Sequence, residues 1–85
     1  MIEPAAMEGE FFRIAHGKMT RVLGTTAGEQ LLAEIMDAQA NPLASADDLY
    51  RFATELARRP SFEGAVGGML QVTALMRGAR PVRPR

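Results

Sequence analysis

Glycine and proline divide the helical periodicity of this chain into four short segments, and this division limits the fold to a small helical one. Apolar residues recur at three- and four-residue intervals from residue 11 onwards, which is typical of amphipathic helices. Gly24, Asn41-Pro42, Pro60 and Gly78 each follow such a segment and favour its termination. The sequence therefore predicts four helices, at about 9–23, 27–39, 46–58 and 62–77.

The stretch RVLGTTAGEQLL leaves open whether the first two segments are two helices or one. Gly24 directly follows the last periodic residue, Leu23, and suits a helix C-terminus because glycine adopts left-handed conformations without a steric penalty. Thr26 and Glu29 have the spacing of a capping box, in which each side chain pairs with a free backbone N–H of the first turn. These signals favour a hairpin with a connection of about two or three residues over one continuous helix.

Four helices with short joints predict an all-α fold, a small antiparallel four-helix bundle of one domain over residues 9–77. FFRIA at 11–15 aligns with LYRFA at 49–53, which suggests two pseudo-repeated helical hairpins. Ser45 is the predicted N-cap of the third helix. The apolar stripes predicted to face the core are Phe11, Phe12, Ile14, Ala15, Met19, Val22 and Leu23; Leu31, Leu32, Ile35 and Met36; Leu49, Phe52, Ala53 and Leu56; and Phe62, Val66, Met69, Leu70, Thr73 and Met76.

Charge and cysteine content restrict the class of protein. The chain has 85 residues, with ten basic and ten acidic side chains and no cysteine, so it has neither a disulfide framework nor a thiolate metal site. Residues 1–8 are acidic and expected to be flexible, unlike the basic start of a signal peptide. No apolar run approaches the roughly 20 residues of a membrane span. We therefore expect a cytoplasmic protein without a membrane span.

Motifs for catalysis, metals or cofactors are missing from the sequence. His16 is the single histidine, and it lies at the edge of the first apolar stripe without a second metal-ligating residue at suitable spacing. The glycines form neither a phosphate-binding loop nor a dinucleotide fingerprint. We therefore expect no enzyme, no cofactor, no metal and no small-molecule substrate.

Apolar residues in excess of a small core indicate a protein partner. Adjacent Phe11 and Phe12 point about 100° apart on a helix, and Tyr50 lies off the clean stripe of its own helix. Methionine can adapt to a partner surface, and closely spaced glycines allow another helix to approach. The predicted interface therefore comprises Phe11, Phe12, Tyr50, Met69, Gly64 and Gly68. The leading hypothesis is a non-enzymatic adaptor or regulatory protein that docks on a larger protein or on its own copy, as in a homodimer.

The C-terminal RGARPVRPR predicts an extended tail over residues 78–85, because its two prolines oppose a helix. Its basic residues are candidates for contact with an anionic partner, and they are Arg77, Arg80, Arg83 and Arg85. Nucleic acid is the alternative partner, in which case the protein is an accessory factor that binds through the tail. This alternative is less favoured, because no aromatic residues that could stack on bases alternate with the arginines.

Overall fold

The computed structural model describes residues 9–80, which form four α-helices and no strand. The predicted all-α fold is therefore confirmed over this range. Residues 1–8, expected to be a flexible acidic segment, and residues 81–85 of the expected tail lie outside the described part of the chain. The helices are α1 (Glu10–Leu23), α2 (Thr25–Gln39), α3 (Ala46–Ala57) and α4 (Ser61–Met76).

A single glycine separates α1 from α2. Gly24 has φ +95°, a conformation that glycine adopts without penalty, and its N–H donates to the carbonyl oxygen of Thr20. It is the C-cap of α1 and the N-cap of α2, so the chain forms a hairpin with a connection of one residue. The capping box predicted for Thr26 and Glu29 is wrong, because α2 already begins at Thr25 and no side chain caps it.

The two helices of this first hairpin approach closely at a second glycine. Gly28 is buried, and a Cβ atom there would lie 2.7 Å from the carbonyl oxygen of Met19. Beside this contact, Nε2 of His16 lies 2.8 Å from Oε2 of Glu29. Glu29 therefore links α2 to α1 instead of capping its own helix.

The loop between the hairpins is organised by a buried polar side chain. Oδ1 of Asn41 accepts from the N–H of Leu43 at 2.9 Å, and Nδ2 donates to the carbonyl oxygen of Asp48 at 2.9 Å. Ser45 then caps α3 by accepting from the N–H of Asp48 at 3.1 Å, which confirms the predicted cap. The loop thus enters α3 with these backbone groups paired and with Leu43 in the core.

Helices α3 and α4 form the second hairpin, and their backbones approach at Gly67. A Cβ atom at this position would lie 2.6 Å from the Cα atom of Ala57. Further from the joint, Nε2 of Gln71 donates to Oγ1 of Thr54 at 3.2 Å, so the two helices run antiparallel. α4 also packs on α1, less extensively than on α3, and has no contact with α2 within the described chain.

The core lies between the two hairpins and draws on all four helices. The stripe predicted for α3 is confirmed, since all four of its residues are fully buried. The loop supplies Leu43, and the chain after α4 supplies Ala79. The buried apolar residues are Ala15, Met19, Leu31, Leu32, Ile35, Leu43, Leu49, Phe52, Ala53, Leu56, Val66, Leu70, Ala74 and Ala79.

The chain turns back after α4 instead of extending away. Gly78 has φ +103°, and the N–H of Ala79 donates to the carbonyl oxygen of Ala74 at 2.9 Å, as in a Schellman motif. The N–H of Arg80 donates to Oδ1 of Asp47 at 2.7 Å. The first three residues of the expected tail are therefore held against the start of α3.

A candidate docking face on the fourth helix

Small residues decide which side of α4 faces the core. Val66, Gly67, Leu70 and Ala74 are buried, and Gly67 is the point at which α3 comes closest. The sequence predicted Val66 and Leu70 on this side but placed Phe62, Met69 and Met76 there as well. These last three assignments are wrong, because all three side chains are exposed.

The opposite side of α4 is apolar and exposed. We call this surface the α4 face, and its five large side chains are between 42% and 81% exposed. Soluble proteins expose single apolar side chains routinely, but contiguous apolar patches mark interaction sites. The α4 face comprises Phe62, Ala65, Met69, Val72, Leu75 and Met76.

The spacing of the α4 face resembles the seam of a helix pair. Phe62, Ala65, Met69, Val72 and Met76 follow one another at alternating intervals of three and four residues. This interval keeps side chains in register with a second helix that packs alongside. Phe62 and Met76 are 14 residues apart, so the face extends over about 21 Å.

A shallow centre lies in the middle of the α4 face. A Cβ atom at Gly68 would meet no other atom within 4 Å, so the backbone is accessible there. Ala65 is exposed and adds only a methyl group on the same side. Gly64, which was predicted at an interface together with Gly68, faces instead the connection between α3 and α4, where a Cβ atom would overlap the carbonyl oxygen of Arg59. Of this glycine pair, Gly68 alone has open space at its Cβ position.

Charges are confined to the ends of α4. Glu63 in the first turn is the single ionisable residue between Ser61 and Met76. Arg77 follows the last residue of the helix and forms an ion pair with Glu10 at the start of α1. Both charged residues lie in register with the buried stripe of Val66, Leu70 and Ala74, on the side of α4 opposite the α4 face. The α4 face itself therefore carries no charged side chain.

The aromatic residues predicted as anchors belong partly to the core. Phe11, Phe12 and Tyr50 are half-buried and pack against the buried cluster. The rings of Phe12 and His16 stack with their centroids 5.7 Å apart. These side chains therefore contribute to packing within the chain, whereas Met69 is the one predicted anchor on the α4 face.

Phe12 and Tyr50 each line an open groove. A groove of about 740 Å³ between α1, α2 and the following loop includes Phe12, His16, Glu29 and Met36 in its walls. A second groove, of about 530 Å³, brings together Tyr50 and Arg80, two residues that were predicted in separate sites.

The predicted anion-binding arginines are only partly within the described chain. Arg77 pairs with Glu10, and Arg80 lies in the groove beside Tyr50. Arg83 and Arg85 lie outside residues 9–80. A basic cluster formed by all four arginines therefore stays a prediction.

Residues 9–80 contain no group of three or more histidine, aspartate or glutamate side chains arranged to hold a metal ion. In the same range, no helix is both long and apolar enough to cross a membrane. Nε2 of His16 is hydrogen-bonded to Oε2 of Glu29, and its ring packs on Phe12. The structure therefore places this histidine in a contact between α1 and α2.

Val72 and Leu75 on the α4 face were missed by sequence reasoning. The sequence does contain a signal for these two residues, because a helix that is apolar on all sides is expected to be covered on all sides. α4 carries one charge in 16 residues and packs on α3 along one side. The low charge of α4 therefore indicates that a second side of this helix is covered by a partner. The spacing of its apolar residues does not show which side that is.

Comparison with known proteins assigns no family to this chain. The chain matches no protein-family model, and no curated protein or solved structure is significantly similar to it. The candidate site is therefore defined by the residues of this chain and their packing alone.

Proposed function

We propose that this protein is a non-enzymatic helical adaptor or regulatory module that acts by docking its α4 face on protein. The exposed apolar surface of α4 is the observation that carries the proposal. Five large apolar side chains lie on one side of one helix, and a protein interface removes such a surface from water. The main contact is thus made by α4, whereas the sequence predicted it at the aromatic residues of α1 and α3.

The chemistry of the α4 face supports protein as the partner. Its centre has no charged side chain, whereas nucleic acid binding depends on arginine and lysine at the contact. Phe62 and the methionines offer large flexible or aromatic surfaces of the kind that dominate interface energetics. The lack of cysteine in the chain is the observation behind the cytoplasmic location that we include in the proposal.

Site-specific photocrosslinking in cell extract tests this function. A photoreactive amino acid at Met69 samples the α4 face, and the same group at Ala38, an exposed residue of α2, is the matched control. We expect discrete protein adducts from the probe at Met69 and none from the probe at Ala38. Val72→Glu in the same chain should suppress the adducts, because it places a charge in the contact.

Two results would contradict the proposal. The first is the absence of adducts from Met69, and the second is an equal pattern of adducts from both probe positions. The Ala38→Glu variant controls for the added charge, because α2 has no contact with α4. The mass of the adduct then separates a second copy of the chain from a different protein.

A further inference from the structure

The groove between α1 and α2 is a second surface to which a partner can bind. We call it the hairpin groove; it has a volume of about 740 Å³ and is open to solvent. Its walls are formed by Phe12 and His16 of α1, by one side of α2 and by the loop at Pro42. No residue of α4 lines it, and α4 has no contact with α2 within residues 9–80. The hairpin groove and the α4 face are therefore separate surfaces.

We infer that the hairpin groove binds an extended basic segment of another protein, in which one apolar side chain lies between two arginine or lysine side chains. The groove combines an apolar floor with acidic side chains at two separate points of its wall, and this segment has the complementary chemistry. The inference goes beyond docking at α4, because a chain with two separate binding surfaces can join two proteins.

The floor of the hairpin groove is apolar. Ala33, Met36 and Ala40 follow one another at intervals of three and four residues, so their side chains share one side of α2. Phe12 of α1 and Pro42 of the loop line the same groove. Phe12 and Met36 are half-buried, and both alanines are exposed. An apolar side chain of a partner would remove this floor from water.

The charged side chains that line the groove are acidic. They are Glu29 and Asp37, and no lysine or arginine lines it. Oε2 of Glu29 is hydrogen-bonded to His16, but the Glu29 side chain is 54% exposed, so its other oxygen is available to a partner. Asp37 has no ion pair with another residue of the described chain. Both carboxylates can therefore accept a basic side chain.

The remainder of α2 adds to the negative potential of the groove. The helix carries Glu34 besides these two acidic residues, and it has no basic residue. Its C-terminus lies at Gln39 and Ala40, and the carbonyl end of a helix favours a positive charge. A basic side chain beside Asp37 is thus stabilised by the carboxylate and by the helix end together.

The spacing of the two carboxylates matches a short extended peptide. Glu29 and Asp37 are eight residues apart, which corresponds to about 12 Å along the axis of α2. In an extended peptide, alternate side chains share one face, and four residues span about 13 Å. A segment of the form Arg-x-Leu-x-Arg therefore directs both arginines at the carboxylates and the leucine at the apolar floor.

Other occupants have a less suitable charge. Residues 1–8 of the chain include Glu3 and Glu8 and no basic residue, so they do not complement an acidic groove. The phosphates of nucleic acid would be repelled for the same reason. Arg83 and Arg85 of this chain have the appropriate charge, and the experiment below distinguishes them from a different protein.

NMR titration of the isotope-labelled full-length protein with a blocked peptide, Arg-Ser-Leu-Ser-Arg, tests the inference. We expect the largest changes in the amide resonances of Ala33, Met36 and Ala40. Replacement of the leucine of the peptide by serine should weaken binding at least fivefold, because the apolar contact is lost. A peptide with glutamate in place of both arginines should not bind, because its charges repel Glu29 and Asp37.

Two variants of α2 separate a contact in the groove from general attraction by an acidic helix. Asp37→Asn should weaken binding of the peptide about threefold to fivefold, the range expected for one exposed ion pair. Glu34→Gln removes the same charge from the same helix outside the hairpin groove, and it should weaken binding less than about twofold. Both positions are exposed, so circular dichroism should show unchanged helix content.

Three results would overturn the inference. The first is equal weakening by Asp37→Asn and Glu34→Gln, and the second is equal binding of the peptides with and without leucine. The third is tighter binding of the peptide by a chain with Arg83→Ala and Arg85→Ala, because the arginines of the chain itself would then occupy the groove.

The proposed docking at α4 succeeds or fails independently. Val72→Glu lies outside the hairpin groove and should leave the affinity for the peptide unchanged. Loss of the Met69 adducts with retained binding of the peptide overturns the α4 docking alone. Retained adducts without binding of the peptide overturn the hairpin groove alone.

Discussion

Asn41 shows how one side chain organises the loop between the two hairpins. It is 3% exposed, and its amide pairs with the backbone of Leu43 and Asp48 and with the Gln39 side chain. The N–H of Leu43, itself buried, has Oδ1 of Asn41 as its acceptor. A buried donor without an acceptor costs about 1–3 kcal/mol, so this one residue allows the loop to enter the core.

Ala40 stores backbone strain at the same loop. It has φ +49° and ψ +48°, the left-handed region, at the C-cap of α2. We expect Ala40→Gly to stabilise the protein by about 0.5–1 kcal/mol, because it removes a left-handed penalty that exceeds the added entropy of the unfolded chain. Chemical denaturation of the two proteins measures this difference.

Replacement of alanine by glycine at Ala38, two residues before Ala40, is the control. Ala38 is exposed within α2, so Ala38→Gly should destabilise the protein by about 1 kcal/mol, the ordinary cost of glycine inside a helix. Opposite signs at the two positions would verify the left-handed conformation of Ala40. Destabilisation by both substitutions would contradict it.

Sequence spacing predicts a helix cap correctly where the capping side chain bonds to the backbone of its own helix. Ser45 caps α3 as expected because Asp48 follows at the right distance and nothing else competes for the hydroxyl. The Thr26 and Glu29 pair has equally suitable spacing, yet Glu29 contacts His16 of the preceding helix. A contact across the hairpin thus overrides a local signal, and it depends on packing that the sequence does not display.

At the scale of elements, the two hairpins use the same device. In each of them, a glycine in the second helix allows the backbone of the first helix to come within contact distance. Gly28 in α2 meets Met19, and Gly67 in α4 meets Ala57. This likeness is structural, and the duplication suggested by FFRIA and LYRFA stays a prediction.

The helix contact at Gly28 can be tested with a matched pair of glycines. Gly28→Ala should destabilise the protein by about 1–3 kcal/mol, because the new Cβ atom would lie 2.7 Å from the carbonyl oxygen of Met19 and force α1 and α2 apart. Gly17→Ala should stabilise it by about 0.5–1 kcal/mol, since Gly17 is inside α1 with no atom within 4 Å of a Cβ position.

Thermal unfolding at one protein concentration measures both variants. For a domain of this size, each kcal/mol corresponds to a shift of about 4–8 °C in melting temperature. The contrast between the two glycines is the critical result, because helix propensity alone favours alanine at both. Equal stabilisation by both substitutions would mean that α1 and α2 do not approach at Gly28.

The direction of a helix face could be predicted for α3 and not for α4. α3 alternates apolar with charged residues, so its stripe of Leu49, Phe52, Ala53 and Leu56 has one possible direction. α4 has apolar residues on all sides, and size rather than hydrophobicity determines its orientation. Sequence periodicity favoured the large residues Phe62 and Met69 as core, whereas the close contact with α3 requires glycine and alanine.

At the scale of the whole molecule, the packing of the hairpins leaves α4 at an edge. It contacts α3 along its length and α1 at fewer points, and α2 is out of reach. Within residues 9–80, the core between the hairpins is small, since four of the fourteen buried apolar residues are alanines. A protein of this size therefore has limited stability of its own, and burial of the α4 face would add to it measurably.

If the protein that docks on the α4 face is a second copy of this chain, folding and association are coupled, and the melting temperature should depend on protein concentration. If two chains associate through the α4 face and separate on unfolding, each tenfold increase in concentration stabilises the dimer by about 1.4 kcal/mol. Shared between two chains, this corresponds to a rise of about 3–6 °C in melting temperature. Scanning calorimetry from about 10 to 1,000 μM, above the micromolar affinity expected for this interface, should show this rise for the natural sequence and for Ala38→Glu. Val72→Glu should show a smaller rise over the same range, because the added charge weakens pairing at its α4 face. A constant melting temperature for the natural sequence over the same range would contradict the coupling of folding to association at α4.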